Sequence, residues 1–254
     1  MSSSSPMLSQ LPEEVRGVLR RFLYQIKKIQ PENTIGVILY GSLAREEYVI
    51  GRSNINVCVF LKEITADYLG QCGKFQKEWG KSKIIPPLLL TENDLQASAK
   101  LFPLEYREMK DCHLILEGQD LFGSLPIDNQ NLAHQCQQEI FRNLIRLRQH
   151  CVEGMGKSEA LFALLPISLI ALLPCIRGLF QLLNKPVSQK YDGLLNQLQD
   201  YLEVDPSPFH EVWLMKRGMA SPGTHEFPRL FQRYLVSLEA LHHRVQRLKE
   251  EGHL

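Results

Sequence analysis

The chain has 254 residues, with 29 Lys plus Arg against 28 Asp plus Glu and a net charge of +1. Apolar residues make up 44 % and charged residues 22 %, the balance of a folded globular protein. A disordered chain, a collagen-like repeat and a disulfide-rich miniprotein are excluded. Two domains of ordinary size are expected, and the near-zero charge argues against a broad nucleic-acid-binding face.

The chain opens on Met1-Ser2-Ser3-Ser4-Ser5-Pro6. This stretch has neither the basic start nor the apolar run of a signal peptide, and residues 1–11 read as a flexible tail. Residues 12–29 predict a helix. Val15, Val18, Leu19, Phe22, Ile26 and Ile29 recur near a 3.6 period, and Glu13 and Glu14 suit the first turn. Ile35 to Tyr40 is a short β-branched run that reads as a strand buried on both faces. Gly41-Ser42 breaks it, Leu43 to Tyr48 predicts a short helix, and Val49 to Ser53 a loop.

Residues 55–61 predict a second strand and 66–79 a helix ending at Trp79-Gly80. Ile84 to Leu90 is a third strand candidate. Pro86 and Pro87 cannot donate ladder bonds, which places it at a sheet edge or a bulge. Thr91 reads as an N-cap for a helix over 92–100. A short helix over 103–110 and a strand from His113, ended by Gly118, complete the mixed half.

From Asp128 the pattern is helical. Leu132, Cys136, Ile140, Leu144, Leu147 and Cys151 mark one helix, which Gly154 and Gly156 end. Residues 158–184, 188–202 and 227–250 mark three more, with a proline-rich stretch holding Pro206, Pro208 and Pro222 before the last. Residues 160–176 carry no charge. Pro166, Pro174 and the flanking Glu159 and Arg177 favour a central buried helix over a membrane span. The expected division is residues 1–125, mixed α/β, and 126–254, an all-α helical bundle.

The six cysteines, Cys58, Cys72, Cys112, Cys136, Cys151 and Cys175, form no CxxC pair. They read as reduced, buried thiols in a cytoplasmic protein. His242 and His243 are adjacent, so on a helix they diverge and make poor joint metal ligands. Arg16, Arg20, Arg21, Arg142, Arg146 and Arg148 could meet phosphates, although solvated helix faces account for them.

The informative segment is Leu39-Tyr40-Gly41-Ser42-Leu43-Ala44-Arg45-Glu46-Glu47, followed by Ser53-Asn54-Ile55-Asn56-Val57. A Gly-Ser turn at a strand end can bring backbone N–H groups and a hydroxyl to a phosphate. Residues at i and i+2 on a strand point to one side. Two carboxylates so placed would hold a pair of Mg²⁺ ions over a triphosphate. This chain has amides, Asn54 and Asn56.

The segment resembles the nucleotidyltransferase superfamily, in particular small bacterial proteins akin to kanamycin nucleotidyltransferase. Their pattern is Gly-Ser-x-Ala-Arg-Gly-Glu, a loop, then Ser-Asp-Ile-Asp-Leu. Gly41, Ser42, Ala44, Arg45, Glu47, Ser53, Ile55 and the apolar Val57 match it. Glu46 stands where the pattern has Gly, and Asn54 and Asn56 where it has Asp.

The resemblance implies a nucleotidyltransferase-like mixed sheet with flanking helices, then a helical domain. It implies phosphate or nucleotide binding by Gly41, Ser42 and Arg45, with Asn54 and Asn56 at degenerate metal-ligand positions. A third carboxylate would fall near 84–90, a segment with no acid. Near a protein surface a unit charge pair at about 4 Å is worth roughly 4 kcal/mol. Two lost charges amount to about 8 kcal/mol, or five to six decades of rate at about 1.4 kcal/mol each.

The expectation is therefore a catalytically impaired or inactive protein, a pseudoenzyme, that keeps nucleotide or partner binding in an interdomain cleft. No catalytic residue and no resident metal are assigned; Mg²⁺ and NTP would be the cofactors if it were active. One alternative is an active Mg²⁺-dependent enzyme that moves NMP from NTP to a hydroxyl, with acids recruited from elsewhere. Another is a non-enzymatic, antitoxin-like protein that binds a protein partner or forms a homodimer. Neither nucleic acid nor a membrane is expected as a partner.

Overall fold

The computed structural model describes residues 11–51, 53–153, 158–223 and 225–254; in the helix that begins at Ser158 the side chains are described from Phe162. The predicted tail at 1–11 thus lies outside the described residues except for Leu11, and so do Gly154 and Gly156. The chain falls into two compact units. One holds residues up to Leu101 and Glu105–Ile127; the other holds Phe102–Leu104 and Asp128–Leu254.

The first unit is a four-stranded mixed sheet with helices on both faces. Its elements are α1 Glu13–Ile29, β1 Thr34–Tyr40, β2 Asn56–Leu61, α2 Ala66–Lys81, β3 Leu88–Leu90, α3 Glu92–Leu101, all but the first two residues of α4 Pro103–Asp111, and β4 His113–Gly118. The strand order is β3-β2-β1-β4. β1 pairs antiparallel with β2 and with β4, and β2 pairs parallel with β3.

The strand residues sort by parity, as a period of two requires. Val37, Leu39, Val57, Val59 and Leu61 face Val15, Leu19, Phe22 and Ile26 of α1 and Tyr68, Cys72 and Trp79 of α2. Ile38, Cys58 and Phe60 face Leu95 and Ala99 of α3, Tyr106 of α4, and Phe122. Both faces are covered, which is why β1 and β2 read as nearly continuous apolar runs.

β3 keeps three residues at the sheet edge. Before it, an isolated parallel bridge joins Ile55 to Ile84. Pro86 and Pro87 fall between bridge and strand, where no ladder donor is needed. Thr91 caps α3 reciprocally: its Oγ1 accepts from Asp94 N–H at 3.1 Å, while its own N–H donates to Asp94 Oδ2 at 3.0 Å.

The second unit packs α5 Asn129–Glu153, α6 Ser158–Leu182, α7 Tyr191–Leu202, α8 Ser207–Arg217 and α9 Phe227–Glu250 around one apolar core. The 162–182 stretch of α6 is long and apolar enough to cross a membrane, yet 56 % of its most apolar window is buried in the structure. Leu165, Leu169, Leu172, Leu173, Ile176 and Phe180 enter the core of this unit. Arg177, 1 % exposed, donates to the carbonyls of Ser188 at 2.7 Å and Gln189 at 3.3 Å.

Two expectations are corrected. Residues 43–48 do not form a helix; residues 41–46 are successive turns. The chain begins one helical turn, with Arg45 N–H bonding Gly41 O at 3.1 Å, but Glu46 takes φ +59 and ends it. The proline-rich stretch contains a helix, α8. Pro206 and Pro208 occupy its entry, where a missing N–H costs no intrahelical bond. Gly218, in the left-handed region, closes it.

Candidate functional site

The sheet ends where β1 gives way to Gly41. In the antiparallel register Tyr40 lies opposite Asn56 on β2 and opposite His113 on β4. Asn56, Tyr40 and His113 therefore form a polar row across one sheet face. Asn54, two residues before Asn56, is exposed, and Asn56 is half-buried.

Gly41 is required here on two grounds. Its φ is +79, and a Cβ would stand 2.4 Å from Asn56 Nδ2. The glycine lets the chain turn and lets the Asn56 amide close onto the turn. The main-chain N–H groups of Ser42, Leu43 and Ala44 donate to no other described residue, and the Ser42 hydroxyl bonds none. Successive free N–H groups after a left-handed residue make an anion-receiving concavity. The side-chain amides of Asn54 and Asn56 likewise bond no other described residue.

The rest of the motif holds this turn in shape. Glu47 N–H donates to Ser42 O at 2.8 Å, and Glu46 N–H to Leu43 O at 3.3 Å. Ser53 closes the following loop: its Oγ accepts from Val49 N–H at 3.0 Å, and its N–H donates to Val49 O at 2.8 Å. Glu46 explains the glycine of the resembled pattern. The position is left-handed, and a non-Gly residue there carries strain of about 1 kcal/mol.

The resemblance implies a phosphate contact for Arg45. In the structure its guanidinium is turned onto α4: Nη2 donates to Glu108 Oε2 at 2.8 Å and to Glu108 O at 3.1 Å.

The residues do not fit a pair of Mg²⁺ ions. Mg²⁺ is held by carboxylates together with phosphate oxygens, and Asn54 and Asn56 offer at best neutral carbonyl oxygens. Beside them the edge segment presents Ile84, Ile85, Pro86 and Pro87. Ile55 N–H donates to Lys83 O at 2.8 Å, and Ile85 N–H to Ile55 O at 3.3 Å. Among the described residues no three His, Cys, Asp or Glu side chains gather as a metal set.

Two features of the row escaped the sequence reading. Burial, with the nearby Cys58 and Tyr106 adding to it, pushes the Tyr40 hydroxyl up to about 12, so it stays a neutral donor. His113 is held from both sides, Nδ1 against Met109 O at 2.7 Å and Nε2 against Asp120 Oδ1 at 3.1 Å. Burial works against the Asp120 carboxylate. The Gly123 and Phe122 N–H groups and His113 outweigh it and leave the carboxyl below its usual range. No sequence spacing announces this pair, because the turn after Gly118 brings Asp120 back over β4.

The other candidates have partners of their own. His242 stacks on Phe141 with ring centroids 4.8 Å apart. Burial, then His243 and Arg148, holds its imidazole below the usual range. Arg148 pairs with Glu239 at 2.7 Å and Arg21 with Glu78 at 3.3 Å.

No family model and no curated protein matches the chain. Among solved structures it is similar to spectinomycin adenyltransferase AAD(9) from Enterococcus faecialis, a crystal structure with ATP and spectinomycin. The identity is 12 %, the TM-score 0.56, and the match covers 90 % of this chain and 98 % of that one. The chain thus has a nucleotidyltransferase-like mixed sheet with flanking helices, followed by a helical region, and shares its fold with an adenyltransferase.

Proposed function

We propose that this protein binds a nucleotide through its polyphosphate at the Gly41–Ala44 turn, and that it does so without the two-metal chemistry of nucleotidyl transfer. The observation that carries this reading is the set of donors that bond no other described residue, the N–H groups of Ser42, Leu43 and Ala44 and the Ser42 hydroxyl, beside two uncharged amides. The ATP in the structural neighbour supports a nucleotide as the ligand class. Asn56, pressed against Gly41, contributes an amide where a carboxylate would repel a bare phosphate. Asn54 flanks it.

The test is titration of the protein with ATP, with and without Mg²⁺. Binding is expected in the metal-free solution, and Mg²⁺ should not strengthen it. The double change Asn54→Asp with Asn56→Asp should weaken metal-free binding and make it depend on Mg²⁺. Transfer of nucleoside monophosphate at ordinary enzymatic rates by the unaltered protein would refute the proposal. So would no binding at millimolar ATP; combined with a homodimer in solution, that result moves the reading to a partner-binding protein.

A further inference from the structure

The turn is fastened to α4 by contacts that nucleotide binding does not use. The Arg45 side chain is 1 % exposed and that of Glu108 17 %. One nitrogen of Arg45 bonds both the Glu108 carboxylate and the Glu108 main-chain oxygen. Next to it, the Cys112 thiol donates to Ala44 O at 3.3 Å. Two consecutive residues of the turn, Ala44 and Arg45, are thus tied to the end of one helix. The site suits a cation, since Glu108 lies in the last turn of α4, where the helix dipole is negative.

Arg45 is also the residue whose N–H closes the turn onto Gly41 O. On its far side Glu46 is held at φ +59. A strained non-glycine conformation persists only where the surroundings fix it. Burying an arginine is costly unless it is paired and hydrogen-bonded, so the pair is a poor device for stability alone.

We infer that Arg45 and Glu108 are a positioning pair for the anion site: they hold the Gly41–Glu46 turn so that its free N–H groups converge, while Arg45 itself stays off the ligand. This inference rests on the nucleotide-binding reading. Without the pair the Glu46 conformation relaxes, the turn opens, and the donors of Ser42 to Ala44 no longer point to one place.

The test compares Arg45→Met, Glu108→Gln and the double variant Arg45→Met with Glu108→Leu in metal-free ATP titrations. Melting temperature and amide exchange at Arg45 and Glu47 are followed alongside. Each single change leaves one buried partner behind and should weaken binding by about tenfold or more. The double change replaces the pair with apolar side chains that can pack together. It should recover binding to within about threefold, the scale of a tolerated apolar replacement.

If the double variant stays as weak as Arg45→Met, the arginine touches the ligand and the inference fails. It also fails if the single variants melt lower but bind ATP normally. If the unaltered protein binds no ATP, amide exchange decides the matter alone. Faster exchange at Arg45 and Glu47 in the single variants, restored in the double, upholds the positioning role, and unchanged exchange ends it.

Discussion

Two groups of polar residues in this molecule meet opposite fates. In the helical unit, Asn143, Ser168 and Tyr234 are buried together. Ser168 Oγ donates to Asn143 Oδ1 at 2.6 Å, Asn143 Nδ2 donates to Ser168 O at 2.8 Å, and the Tyr234 hydroxyl meets Ser168 Oγ at 2.8 Å. Burial raises the Tyr234 hydroxyl above its ordinary range, against the smaller effect of Ser168. At the end of β1 the donors of Ser42, Leu43 and Ala44 are left without partners among the described residues. A closed network spends its polar groups on the fold; an open one keeps them for something that arrives from outside.

The comparison can be broken by substitution, beginning with the closed side. Asn143→Ala takes the amide partner from the Ser168 hydroxyl and carbonyl, leaves the hydroxyl only Tyr234, and should cost about 2–3 kcal/mol. Urea denaturation at two wavelengths measures it, and ATP binding should not change. A loss near zero would mean that water enters the network and that the contrast with the turn is false.

Gly41→Ala comes next. The φ of +79 and the contact with Asn56 should cost about 1–2 kcal/mol, less than Asn143→Ala because the amide is the free end of a side chain. Its effect on ligand is expected to be the larger one, with ATP binding falling below detection at millimolar concentration. Retained binding would place the ligand elsewhere.

Glu46→Gly should stabilise by up to about 0.6 kcal/mol, about 1 kcal/mol of left-handed strain relieved less about 0.4–1 kcal/mol for the extra chain entropy of glycine. A rise in melting temperature without a change in ATP affinity is the expected result. A fall would show that the Glu46 side chain supplies something its conformation does not reveal.

The smallest effect concerns pH. Asp120 has its carboxyl held below the usual range in the folded protein. The stability it contributes is full above the unfolded value near pH 4 and is lost as pH falls through the folded value. Asp120→Asn should flatten the acid limb of a stability curve below about pH 4 and leave the curve at neutral pH parallel to the original. An unchanged acid limb would remove Asp120 from the account of the site.

The sheet was legible because Val37 and Leu39 alternate with Ile38 and Tyr40 against two covered faces, and because Gly41-Ser42 breaks the apolar run. The capping of α3 was legible from Thr91 and Asp94 alone. The short helix expected over 43–48 was not found, since a single residue, Glu46, reverses sign in φ for reasons of tertiary support that no propensity contains. α8 was hidden by its prolines: Pro206 and Pro208 look like breakers until their place at a helix entry is known. The Arg45–Glu108 pair joins positions 63 apart in sequence, and only the folded chain brings them together.

The short parallel strand β3 has a consequence beyond the site. Pro86 and Pro87 stand immediately before it on the outer rim of the sheet, and neither has an N–H to offer. A strand from another molecule laid along that rim would find no donor at these two positions. The prolines thus blunt that edge against pairing with a further strand, by what the backbone lacks.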